Sequence, residues 1–342
     1  MKKLVTIVAT IAVLISSAHA ADWNFYGSVM VSTFYENVDI SGADTTNLAM
    51  GLNSDSVIGA EVNVNDEVGG VFEFEAGNGN VEISYLYGVW NFGYGSLLIG
   101  LDDGPLQLPG SDQAYADNAG LGGWGEMASP GKGQIKLIFD AFRLAFRTPS
   151  VDYNDGTDNV DINTEVMRPS IEASYWFAGE NYNLGITAGY GTFEVGKTNK
   201  KDIDSYVIGI GGDVTFGRVI LGAGVFGGEN VGNLVDTDVN GGDTGAGLAR
   251  FDGTQVINNK ALAWKIHATY IFNDMFGIQA GYGYMETELD KQTKDEVKSY
   301  YVQFPITLAD GVSIVPEIGT IDYSEVGQSK TDYFGAKWQI DF

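Results

Sequence analysis

Asp102, Asp103, Asp112, Asp117 and Glu126 crowd one glycine-rich stretch of the chain, and basic residues recur at polar positions in the segments around it. Lys136, Arg147 and Arg168 lie on neighbouring segments, with Lys265 and Lys337 further round. Opposed charges across a narrow aqueous gap orient polar solutes, and rings of acidic side chains favour cations. Glu61, Glu73, Glu75, Glu82 and Glu172 share the parity of the basic residues. Other chemistries find less support. His267 is the one histidine besides His19, and no nucleophile motif accompanies it. Asp236, Asp238 and Asn240 copy the opening of a calcium loop, but its closing position is Gly247 where a bidentate Glu is needed. They are weak candidates for a divalent cation such as calcium; no cofactor is expected otherwise. The run Asp152-Tyr153-Asn154-Asp155-Gly156 is a similar acidic loop.

The elements that must position these charges alternate with a period of two. In 260–272, Leu262, Trp264, Ile266, Ala268, Tyr270 and Phe272 oppose Lys265, His267 and Thr269. In 166–178, Met167, Ile171, Ala173, Tyr175 and Phe177 oppose Arg168, Ser170, Glu172 and Ser174. At the end of the chain Phe334, Ala336, Trp338, Ile340 and Phe342 form one face. Segments of about ten alternating residues are the signature of tilted membrane strands. They fall at 22–36, 46–64, 68–77, 81–92, 95–101, 133–140, 143–150 and 166–178. The second half supplies 182–195, 204–215, 219–230, 260–272, 276–289, 297–308, 312–323 and 331–342. Tight turns follow every even segment, while the longest links, 102–132, 151–165, 196–203 and 231–259, all follow odd ones. Short turns at one end and long loops at the other are expected of a closed membrane barrel, not of a soluble sandwich. The pattern predicts an all-β, sixteen-stranded transmembrane antiparallel β-barrel. A charge facing lipid at the midplane costs about 2–4 kcal/mol, so the charged face is the lumen. A barrel of this size encloses a water channel rather than a packed core.

Lys2 and Lys3, the apolar run Leu4–Ile15 and Ala18-His19-Ala20 read as a signal peptide over residues 1–20, leaving one barrel domain, 21–342. Removing Lys2 and Lys3, and no acids, takes the formal charge from −26 to −28. Nucleic-acid binding, which needs basic groups to neutralise phosphates, is excluded. No cysteine is present, so no disulfide framework holds the fold.

The stretch Tyr87-Gly88-Val89-Trp90-Asn91-Phe92-Gly93-Tyr94-Gly95-Ser96-Leu97-Leu98-Ile99-Gly100 resembles a segment of the Gram-negative trimeric porins. There an aromatic strand, a Phe-Gly-x-Gly turn and a strand ending in Ile/Leu-Gly lead into the third external loop. The resemblance implies that the link 102–132 folds into the pore and narrows it, with Asp102, Asp103, Asp112, Asp117 and Glu126 facing Lys136, Arg147, Arg168 and Lys265. It implies a homotrimer in the outer membrane of a Gram-negative cell, among lipid and lipopolysaccharide, passing small hydrophilic solutes and ions. It also makes Phe342, with Ile340 and Trp338, the closing seam and assembly signal. Two departures bear on the constriction: Leu101-Asp102-Asp103 stands where the family commonly has Arg, and the loop tip is Ala119–Glu126. The link Gly77–Asn80 is too short to latch far over a neighbour. A cation-preferring diffusion pore is the leading expectation. A channel selective for sugars, carboxylates or amino acids, and a non-conducting adhesive barrel, remain the alternatives.

Overall fold

The computed structural model describes residues 21–40, 42–77, 80–154, 163–197, 199–237, 246–290, 294–323 and 329–342. The expected signal peptide and the candidate ligands Asp238 and Asn240 lie outside these residues, as do Asp155 and Gly156. β1 runs over Asp22–Ile40, β2 over Ala43–Leu52 and Val57–Asn63, β3 over Val68–Ala76, β4 over Val81–Asn91 and β5 over Ser96–Asp102. β6 is Lys132–Phe139 and β7 Phe142–Arg147; β8 comprises Thr164–Glu165 and Ser170–Gly179, and β9 Tyr182–Val195. β10 is Lys201–Phe216, β11 Val219–Glu229, β12 Asn259–Asn273 and β13 Phe276–Leu289. β14 comprises Lys294–Gln303 and Ile306–Ala309, followed by β15, Val312–Tyr323, and β16, Ser329–Asp341.

Each strand pairs antiparallel with the next, and β16 pairs back onto β1 from Ser28↔Asp341 to Ile40↔Ser329, closing a 16-stranded barrel. Beyond that ladder Gly27 and Phe342 exchange backbone hydrogen bonds of 2.8 and 2.9 Å. Closure satisfies backbone groups that lipid could not. Exposure follows the predicted parity. Leu262 and Ile266 of β12 are 45% and 53% exposed, and Lys265 between them is 1% exposed. Trp338, Ile340 and Phe342 all face outward.

Two elements differ from expectation. Where a link is expected at 37–45, the first strand runs to Ile40 and the next begins at Ala43, with the Gly42 N–H (φ 83°) bonding the Asp39 carboxylate. β2 is also broken at Asn53–Ser56. There Asn53 caps the Asp55 N–H and reaches Ser32, while Ser56 binds the backbone of Met30. Short polar side chains compete with a ladder in this way. The segment beyond the break, Ala43–Leu52, pairs only with β1 among the described strands and is exposed throughout, because β3 ends at Ala76.

Candidate functional site: the pore constriction

The link between β5 and β6, residues 103–131, folds into the lumen and runs along the inner wall. Its apolar side chains cause this. Leu106, Leu108, Ala114, Tyr115, Trp124 and Met127 are all buried, in one cluster with wall residues from several strands. Burying such side chains stabilises by roughly 1.5–3 kcal/mol each. The wall accepts them because glycines lie on its inner face. A methyl group at Gly209 (β10) would meet Met127 Sδ at 2.7 Å, and one at Gly283 (β13) would sit 2.1 Å from the Trp124 carbonyl oxygen.

Polar groups fasten the loop at successive points. At its root Asp102 pairs with Lys136, Lys136 also donates to the Asp103 carbonyl (3.0 Å), and the Tyr85 hydroxyl donates to the Asp103 carboxylate (2.8 Å). Arg147 pairs with Glu172 at 2.7 Å and donates to Ser129 Oγ and the Pro130 carbonyl, which ties down the returning arm. Glu126 accepts from Lys265 Nζ and from the Ser111 N–H, both at 2.8 Å. Asp112 and Gln279 form a reciprocal pair, N–H to Oε1 at 3.0 Å and Nε2 to Oδ2 at 2.7 Å. Further on, Glu317 of β15 accepts from the Ala114 N–H (2.6 Å) and from the Tyr333 hydroxyl (2.7 Å), which itself accepts from Gln113 (2.6 Å).

The tip reaches the far wall. The Tyr115 ring stacks on Tyr333 with centroids 3.7 Å apart, meets Phe34 edge-on, and its hydroxyl donates to Glu36 of β1 (2.8 Å). Burial first, and then the Glu36 carboxylate, push that hydroxyl's pKa well above the ordinary phenol range. Ala116, Asp117 and Asn118 follow with φ of 52°, 57° and 66°, three consecutive non-glycine residues in the left-handed region. Each costs roughly 1–2 kcal/mol, so the surrounding contacts hold the tip in this form.

Two external links close over the loop. Val231, Leu234 and Val235 join its apolar cluster, and the Asp236 N–H donates to the Ala128 carbonyl (3.0 Å). Asn233 and Asp152 exchange bonds of 3.0 and 3.1 Å, and Val151 and Tyr153 on either side of Asp152 pack against a second cluster of Phe193, Val195, Ile203, Ala249 and Phe251. Asp236 thus joins this lid through its backbone while its side chain keeps exposed surface, and partial desolvation raises its carboxyl pKa, with Lys132 opposing the shift.

The expected opposition of acidic loop and basic wall is not the arrangement present. Lys136, Arg147 and Lys265 lie beneath the loop, their side chains 10%, 1% and 1% exposed, paired to Asp102, Glu172 and Glu126. A buried cation needs such a partner. Asp102 and Glu126 are therefore fasteners, while Asp112 and Asp117 keep exposed surface. Arg168 is a clear correction: it lies over the Tyr190 ring (5.8 Å) on the outer face, aligned with Ile171 and Tyr206. Residues 166–169 precede the ladder that begins at Ser170, so strand parity does not extend to it.

What stands across from the loop, on β2 to β4, is acid and tyrosine. Glu61, Glu73, Glu75 and Glu82 face inward, and the Tyr26 hydroxyl donates to Glu73 (2.9 Å). Among the described residues no Lys or Arg lies within ion-pair distance of these four, of Asp55, or of Asp103, Asp112 and Asp117. Asp55, Glu36, Asn118, Glu317 and Tyr333 escape sequence reasoning. Phe34, Glu36 and Tyr333 have the lumen parity that marks them as wall, but nothing local shows that a loop from mid-chain would reach them.

A closed membrane barrel with a charged lumen narrowed by an inward loop defines a diffusion channel. The sequence matches the Gram-negative porin model over residues 8–326, and the chain belongs to that family. It is an outer-membrane channel for passive diffusion, and its family and fold are those of a channel rather than an enzyme. No curated protein sequence matches it. Solved structures share its fold at low identity. The outer membrane channel DcaP of Acinetobacter baumannii has 16% identity and a TM-score of 0.75, over 94% of this chain and 98% of that one. The anion-selective porin of Comamonas acidovorans has 12% identity and a TM-score of 0.64, over 94% and 100%. OmpT of Vibrio cholerae in its trimer form has 15% identity and a TM-score of 0.56, over 95% and 100%.

Proposed function

We propose that this porin is a cation-preferring pore for small hydrophilic solutes, working as a homotrimer without a cofactor. The observation that carries the ion preference is the pairing pattern. Lys136, Arg147 and Lys265 are consumed in ion pairs under the loop, while the acids of β2 to β4 and of the loop's open side have no cationic partner within ion-pair distance among the described residues. Unpaired carboxylates around an aqueous path concentrate cations in it. The fold alone does not decide the sign, since one similar structure is that of an anion-selective porin. The test is the reversal potential of single channels in a tenfold KCl gradient. The expected value lies on the potassium side of zero, and a value on the chloride side refutes the proposal.

Two observations support trimerisation. OmpT is described in a trimer form. In this chain, Leu48, Met50 and Leu52 of the outer β2 segment are 53%, 69% and 58% exposed beside an edge with no partner strand among the described residues. Exposed apolar edges of this kind are covered in working proteins.

A further inference from the structure

One amide adds a polar tie between the tip of the inward loop and the far wall, beside the contacts of Tyr115. Asn118 has a donor end and an acceptor end on a single planar group. Its Nδ2 faces the Asp55 carboxylate of β2 at 3.4 Å, and its Oδ1 accepts from Lys337 Nζ of β16 at 2.5 Å. Asp55 and Lys337 are not themselves an ion pair. The amide therefore stands between a carboxylate and an ammonium, oriented by both. Lys337 is 9% exposed, and Asp112, Asp55, Glu317 and Asp341 all act on it electrostatically. Lys136, Arg147 and Lys265 each spend their charge on one carboxylate, whereas Lys337 has none within ion-pair distance among the described residues. Its field is directed at the group of acids beside the tip.

We propose that Lys337 is a specificity-determining residue of this channel. Held at the tip by Asn118, its ammonium offsets part of the acidic field at the constriction and limits the preference for cations. The same contact pins the tip, so charge and position are coupled through one residue. The proposal deepens the reading of an acid-lined diffusion pore and rests on it.

Single-channel recording in a tenfold KCl gradient tests it with Lys337→Gln, Lys337→Arg and Asn118→Ala. K337Q keeps a donor for Asn118 and removes the charge. Its potassium-to-chloride permeability ratio should rise about threefold or more, the order expected for one charge acting across about 6 Å of water. K337R keeps charge and donor and should retain the wild-type ratio. N118A keeps the charge but removes one tie of the tip: open-channel noise should grow while the ratio stays near wild type. An unchanged ratio in K337Q overturns the proposal. So does a shift in N118A as large as that in K337Q, because the effect would then come from loop displacement. A chloride-side reversal potential in the wild type refutes the cation-preferring pore, yet the K337Q shift relative to wild type remains readable.

Discussion

The charged side chains of the lumen divide into those that hold the loop and those left to the water. Arg147 and Glu172 are the firmest holders, with side chains 1% and 2% exposed. Removing one partner of a buried pair leaves the other charge uncompensated, so Arg147→Met should cost about 3–5 kcal/mol. Restoring neutrality with Arg147→Met and Glu172→Gln together should recover part of that, measured as the urea midpoint of refolding in detergent. Asp236 adds a pH dependence. Partial desolvation raises its carboxyl above its ordinary 3.8, so any contribution it makes to the lid contact is fully present below that value. The stabilisation is lost as pH rises through the raised value and the carboxylate ionises. Hydrogen exchange at residues 231–236, corrected for intrinsic rates, should therefore be slower at pH 4 than at pH 7, and Asp236→Asn should flatten the difference. Parity in the sequence placed Lys136, Arg147 and Lys265 on the lumen side. It could not give the partner of Lys265, because Glu126 belongs to a loop with no period to read. It failed for Arg168, which lies outside a ladder, and it had no purchase on Asp55, which lies in the break of β2.

At the scale of elements, the alternation of apolar and polar residues located all sixteen strands, and the turn residues located the periplasmic ends. Period two is imposed by lipid outside and water inside, so it survives without tertiary information. The glycines carried a second message that composition alone hid. Several on β9 to β13 form the seat of the inward loop, where a side chain would displace it. Gly283→Ala is the sharpest case, with its methyl 2.1 Å from a backbone oxygen that cannot rotate away. Overpacking of this kind typically costs 1–3 kcal/mol. The expected outcome is a folded barrel with a displaced loop, seen as altered conductance. Wild-type conductance in G283A would show that the loop is not seated there.

For the whole molecule, closure of the barrel leaves the edge of the outer β2 segment without a partner strand among the described residues. Met50→Glu on that segment should weaken assembly, seen as loss of the slow-migrating oligomer in native electrophoresis while single barrels remain folded. An oligomer of unchanged stability would place the subunit contact elsewhere. The anchoring of the loop tip also constrains the order of folding. Tyr115 docks between Phe34 and Tyr333, and Asn118 between Asp55 and Lys337, residues near opposite ends of the chain. Neither seat exists until β16 has met β1. Contacts so distant in sequence form late. The constriction is thus the last part of the molecule to be built, and an incompletely closed barrel would pass through assembly as an unguarded hole.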